Sequence, residues 1–227
     1  MASIIISADD FGKSGTANKN ILELVKTGRI QRVAVLVNGI LSKNEVRELS
    51  ESKVKLDVHL ILPGANANWV NRKIIRRSSR FLALLLSGKT ALAKVEKSWQ
   101  QQIEKFHQIF GRWPDGLNSH EHTHFFPPYF KVALKLKRKY QISHLRAAQK
   151  IISNGHRIGR IIKVLNGINT KKGADYEYLT SLDWIDNLDK SVSNLPKGNL
   201  EVVCHPEREQ ERQLLSGSVF PSPAEKS

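Results

Sequence analysis

A chain of 227 residues with 40% hydrophobic and 25% charged residues can bury the core of one large domain, which excludes global disorder. Its net charge of +15 raises the question of a polyanionic partner, but aromatics are sparse and show no basic–aromatic stacking pattern, which argues against a nucleic-acid module. The single cysteine, Cys204, excludes an intrachain disulfide framework, and neither a basic leader nor an uncharged apolar run of membrane-spanning length occurs, so a soluble cytoplasmic protein is expected.

Ser3 to Ser7 reads as a short strand buried on both faces, running into Ala8-Asp9-Asp10-Phe11-Gly12. Gly12 to Gly15 turn the chain into a helix over Asn18 to Lys26, which Gly28 stops. Arg32 to Val37 is a second strand, Lys43 to Ser50 a helix and Lys55 to Leu62 a third strand. This alternation predicts α/β architecture with parallel strands. Asn66, Asn68 and Asn71 mark a loop, and Arg72 to Leu86 mixes Arg and Lys with Ile, Phe and Leu as a basic amphipathic helix does. Val95 to Phe110 is a helix whose Val95, Trp99, Ile103 and Phe106 form a core-facing stripe. Gly116 to Phe125 is a strand and the loop after it, Pro127-Pro128 break the chain, and Tyr129 to Tyr140 is a helix with a basic outer face. His144 to Ala147 is a further strand. Residues 150–175, basic and containing Gly and Asn, are expected to form a mobile excursion. Tyr178 to Leu188 reads as a helix and Asn199 to Cys204 as the last strand, leading into His205-Pro206. Residues 216–227, rich in Ser and Pro, read as a disordered tail, which leaves 1–215 as a single domain without internal repeats.

Four clusters stand near the C-terminal ends of predicted strands: Asp9-Asp10, His59, His120 with His122 and His124, and His205. In a parallel α/β fold those ends converge on one face, where active sites form. Each cluster alone has a plainer reading. Adjacent acids often cap the next helix, a histidine between Val58 and Leu60 is often structural, and His205 before proline suits a turn. The alternating histidines suggest a metal, or a solvated loop. His120-Glu121-His122-Thr123-His124 also fits the H-E-x-x-H pattern of zinc proteases, which requires a helix. Thr123, Phe125 and Phe126 do not favour one, and Pro127 biases Phe126 away from helical angles.

In order, these clusters resemble the YdjC-like carbohydrate deacetylases, relatives of the polysaccharide deacetylases. The family's A-D-D-F-G stands at Ala8 to Gly12, and its strand closing on V-N at Leu36-Val37-Asn38. Its G-x-H-L-x-L strand corresponds to Asp57 through Leu62, and its G-x-x-P to Gly111 through Pro114. L-D-S-H-x-H-x-H-x-F-P corresponds to Leu117 through Pro127, and E-x-x-C-H-P to Glu201 through Pro206. The resemblance runs from about residue 4 to residue 206.

The resemblance implies a distorted (β/α) barrel and a metal-dependent hydrolase that removes an acetyl group from an N-acetylated sugar, such as a chito-oligosaccharide or a lipid-linked glycan. It implies one divalent metal ion, zinc or magnesium, held by Asp10, His59 and His120. Asp9 is then the general base, His205 the candidate acid and Arg146 the arginine that orients the catalytic aspartate. His122 and His124 contact substrate or support the ligands. Three departures from the family pattern bear on activity: Asp57-Val58 before the third-strand histidine, Leu62-Pro63 after it, and Asn118 where the family has Asp, which removes a carboxylate able to orient a ligand histidine. The alternatives are another metal-dependent hydrolase, including a protease built on His120, Glu121 and His124, and a basic membrane- or nucleic-acid-binding protein with a degenerate site. The Arg72 to Leu86 stretch suits an anionic membrane surface, nucleic acid is the weaker partner, and a homodimer is compatible with the sequence.

Overall fold

The computed structural model describes residues 3–64, 88–154, 156–169, 174–185, 196 and 198–217. Eight strands carry the fold: β1 (Ile4–Phe11), β2 (Arg32–Val35), β3 (Lys55–Leu60), β4 (Gly116–Ser119), β5 (His144–Leu145), β6 (Ala148–Ile151), β7 (Tyr176–Ser181) and β8 (Leu200–Cys204). Their order in the sheet is β5-β4-β3-β2-β1-β8-β7-β6, and every pairing is parallel. That order follows the chain around a barrel opened between β5 and β6. The result is a curled half-barrel in one domain, the distorted (β/α) barrel that the motifs imply. The sheet's core strands are buried on both faces, with helices outside and a filled interior, and their buried side chains include the polar Ser7, Arg32, Asp57, His59, Asn118 and Glu201.

Among the described residues the α-helices are α1 (Gly15–Lys26), α2 (Lys43–Glu51), α3 (Gly88–Phe110), α4 (Pro127–Lys139), α5 (Arg157–Asn169) and α6 (Glu209–Ser216). Local chemistry sets their starts. Ser14 caps α1 through its hydroxyl, which accepts from the Ala17 N–H. Ser42 and Glu45 form a reciprocal capping box on α2, and α4 begins on Pro127-Pro128, where a missing N–H costs nothing. Val95, Trp99, Ile103 and Phe106 of α3 are all fully buried, as their spacing predicts. The Trp99 indole N–H donates to the Ile61 carbonyl at 3.1 Å and Gln102 bonds both backbone groups of Ile61. Helix α3 thereby braces the end of β3, two residues beyond His59.

Three expectations are corrected. The segment read as a helix from Tyr178 is strand β7 and a 3-10 turn at Leu182–Trp184. Flanked by β6 and β8, its backbone makes ladder bonds on both sides, and β-formers such as Tyr176, Tyr178 and Thr180 fit there. The excursion expected over 150–175 instead contains the end of β6 and helix α5. Two of the residues that suggested a loop, Gly159 and Asn166, are packing residues. A Cβ on Gly159 would stand 2.2 Å from Ser153 Oγ, and the Asn166 amide bonds both backbone groups of Ala148. Asp9 and Asp10 lie inside β1 rather than after it. Helix α6, unforeseen, includes Ser216, the first residue of the expected tail; residues 218–227 and the stretch Arg72 to Leu86 lie outside the described residues. Among the described residues no helix is long and apolar enough to cross a membrane.

Candidate metal centre

Two adjacent residues of a regular strand point to opposite faces. Asp9 and Asp10 escape that rule because the β1–β2 register shifts between Ala8 and Phe11 and Asp10 takes a left-handed backbone angle, φ 71°. This irregularity turns both carboxylates toward His59: Asp10 Oδ1 is 3.3 Å from Nε2 and Asp9 Oδ2 is 4.0 Å from Nδ1. The caps of α1 and α2 are serines, so neither aspartate is spent on a helix end.

His120 begins a tight turn, His120–Phe125, in which Glu121 and His122 both have φ 54°. The turn is not an α-helix, so the H-E-x-x-H histidines do not share a helical face. It delivers His120 Nδ1 to 3.1 Å from Asp10 Oδ1. Asp10, His59 and His120 offer three ligand atoms within 4.8 Å of one another, a group that could hold one metal ion.

The proton count around His59 tests whether these residues suit a cation. His59 and Asn118 are register partners on β3 and β4, and His59 Nδ1 lies 2.6 Å from Asn118 Oδ1. The Asn118 amide nitrogen faces Asp57 Oδ2 at 3.4 Å, which fixes its oxygen toward His59. An amide oxygen only accepts, so Nδ1 carries the hydrogen and a neutral His59 aims its Nε2 lone pair at the Asp10 carboxylate. Two lone-pair atoms 3.3 Å apart need a cation between them. Without a metal that cation is a proton: burial pushes the His59 pKa down, yet Asp9 and the bond to Asp10 outweigh it and the net shift is upward. Two imidazoles and one carboxylate therefore fit a divalent metal. Asn118 supplies the acceptor that a carboxylate would have supplied. Asp57 stands behind it and is ion-paired in turn with Arg32. Two of the three departures from the family pattern thus touch each other.

Asp9 faces Arg146, whose guanidinium grips both its oxygens at 2.7 and 2.8 Å. Arg146 is fully buried and also donates to Glu201 Oε1 at 3.0 Å, which accepts from Ser7 Oγ at 2.8 Å. Burial raises the Asp9 pKa, but Arg146 and His59 more than offset it, so Asp9 stays ionised. His205 follows β8. Burial lowers its pKa, but Glu211, Asp10 and Asp183 carry it up to about 9. Its Nδ1 lies 3.6 Å from Glu211 Oε2, a charge contact longer than a hydrogen bond.

The remaining histidines separate by partner. His124 is fully buried. Its Nε2–H donates to the Arg146 carbonyl at 3.0 Å and its Nδ1 accepts from Ser119 Oγ at 2.7 Å, so both nitrogens are occupied and neither can bind metal. It anchors the backbone of Arg146. His122 is buried against Trp184, ring centroids 4.8 Å apart, and burial pushes its pKa down to about 3. Sequence reasoning did not give roles to Glu201, Glu211 or Asp183. The available signal was Glu201 within the apolar run Leu200–Cys204, since a charge on a strand buried on both faces requires a partner.

A solved structure of a protein from Enterococcus faecalis V583, ascribed to cellobiose-phosphate cleavage, superposes with a TM-score of 0.62 over 95% of this chain and 90% of that chain, at 19% sequence identity. At that identity the likeness speaks for the fold. The model of the family described as YdjC-like protein matches residues 3–224, which takes in every strand and every residue of the centre, and the chain belongs to the YdjC-like family.

Proposed function

We propose that this protein is a metal-dependent hydrolase that removes the acetyl group from an N-acetylated sugar. One observation carries the reading: a carboxylate held ionised by a buried arginine stands beside a three-donor cation site, with a histidine raised to about 9 at the same end of the sheet. Asp10, His59 and His120 hold the ion. A bound zinc or magnesium supplies Lewis acidity there, polarising the amide carbonyl and lowering the pKa of water.

The chain's own residues do the rest. Asp9 receives the proton of the attacking water, and Arg146 keeps that carboxylate ionised and in one orientation. Glu201 and Ser7 hold Arg146 in place, and His124 fixes its backbone. His205, protonated at neutral pH, gives a proton to the departing amine, which otherwise leaves poorly. His122, uncharged beside Trp184, forms part of the wall near the site.

The test is acetate release from a panel of N-acetylated sugars, comparing metal-stripped protein, metal-restored protein and Asp9→Asn. Metal-dependent release that the substitution abolishes is expected. Stoichiometric metal binding with no acetate released from any member, or release undiminished in Asp9→Asn, overturns the reading.

A further inference from the structure

Helix α5 has two faces that sequence periodicity alone does not explain. Gly159, Ile162 and Asn166 point inward and are buried. On the opposite side Ile158, Ile161, Val164 and Ile168 are 51–64% exposed. They recur every three or four residues and so form one stripe. They are four of the six large hydrophobics exposed among the described residues, so the feature is a patch rather than the usual scatter. Arg157, Arg160 and Lys163 stand on the same helix, all exposed, and the helix carries no acidic residue.

We propose that α5 is an interfacial helix that seats the protein on an anionic lipid surface. The aliphatic stripe enters the boundary between headgroups and acyl chains while the three basic residues meet the phosphates. Against a second copy and against residues 65–87, charge favours this occupant. A second copy would set two basic helices against each other. The chain's own residues 65–87 contain Arg72, Lys73, Arg76, Arg77 and Arg80 with no acid, so they repel α5 as well. The +15 of the whole chain points the same way, and aliphatic side chains offer nucleic-acid bases nothing to stack on.

The helix also borders the candidate centre. Its Gly159 packs on Trp184, 3.2 Å from an added Cβ to the Trp184 Cβ, and Trp184 meets His122. At its other end Asn169 Nδ2 donates to the Phe125 carbonyl at 2.5 Å. The turn bearing His120 is thus held from both ends of α5. A membrane-seated α5 places the centre where an N-acetylated sugar carried on a lipid is within reach. That substrate class rests on the deacetylase reading; the docking does not.

The experiment is co-sedimentation of the full chain with vesicles of phosphatidylcholine alone or mixed with phosphatidylglycerol, at low and high salt. Binding to the anionic vesicles only, weakened by salt, is expected. Each basic residue near such a surface multiplies binding about fivefold, so R160Q/K163Q should bind about 25-fold more weakly. I161S/V164S should lose binding while its circular dichroism and metal stoichiometry stay unchanged. No sedimentation of the native chain, or sedimentation undiminished in both double variants, overturns the proposal. So does a dimer, measured by light scattering, that I161S/V164S dissolves. Acetate release is not the readout, so failure of the deacetylase reading leaves the docking result standing.

Discussion

Replacing Arg146 with methionine leaves two buried carboxylates facing an apolar side chain. Arg146, Asp9 and Glu201 are each 0–2% exposed, so solvent screens none of them. Breaking a buried ion pair by deleting one partner costs about 3–5 kcal/mol. Glu201 keeps His144 and Arg32 among the groups that lower its pKa, which favours the lower part of that range for its share, while Asp9 loses both of its short hydrogen bonds. The pH dependence is the sharper readout. In the native protein burial raises the Glu201 pKa, but Arg146, with His144 and Arg32, carries it well below the unfolded value of 4.5. A depressed carboxylate contributes stability that is fully present above 4.5 and is lost as pH falls through the folded value. With Arg146 gone, burial prevails, the carboxylate pKa rises, and the sign reverses: the variant loses stability as pH rises above the unfolded value. Urea denaturation of metal-free protein between pH 4 and pH 8 (roughly the span across which buried carboxylates charge) should show the loss growing with pH. Adding Asp9→Asn and Glu201→Gln should recover most of it. A loss under about 1 kcal/mol at neutral pH, or one that does not change with pH, refutes the account of Arg146 as the counter-charge of both carboxylates.

Asn118→Ala should weaken metal affinity by about 10–100-fold, because His59 loses the acceptor that fixes its tautomer; isothermal titration measures it, and unchanged affinity removes Asn118 from the centre. If His205 is the acid, hydrolysis should fall as pH rises through about 9, and Glu211→Gln should move that limb toward the ordinary histidine value; a limb that stays put separates the limb from His205. Gly159→Val should lower stability by about 1–3 kcal/mol through overpacking against Ser153 and Trp184, read as a shift in urea midpoint at constant slope.

The sequence by itself determined the alternation of strands and helices, because apolar runs, the Gly28 stop and the Pro127-Pro128 break are signals carried by neighbours in the chain. It also placed His59, His120 and His205 toward the C-terminal ends of strands, which parallel strands align, while Asp9 and Asp10 lie inside β1. Residues 156–169 and 178–185 differ from their sequence reading because their states are set by partners elsewhere: Gly159 and Asn166 look like loop residues until Ser153 and Ala148 are packed on them, and Tyr178 pairs with Leu200 of β8. Only the tertiary structure showed what separates the alternating histidines physically. His120 reaches Asp10 across 110 residues, His124 is held by the Arg146 carbonyl, and Asp9 depends on an arginine 137 residues away. Three histidines two residues apart are the same local pattern; what separates a free lone pair from an occupied one is the group across the barrel, and its distance along the chain leaves no periodic mark in the sequence.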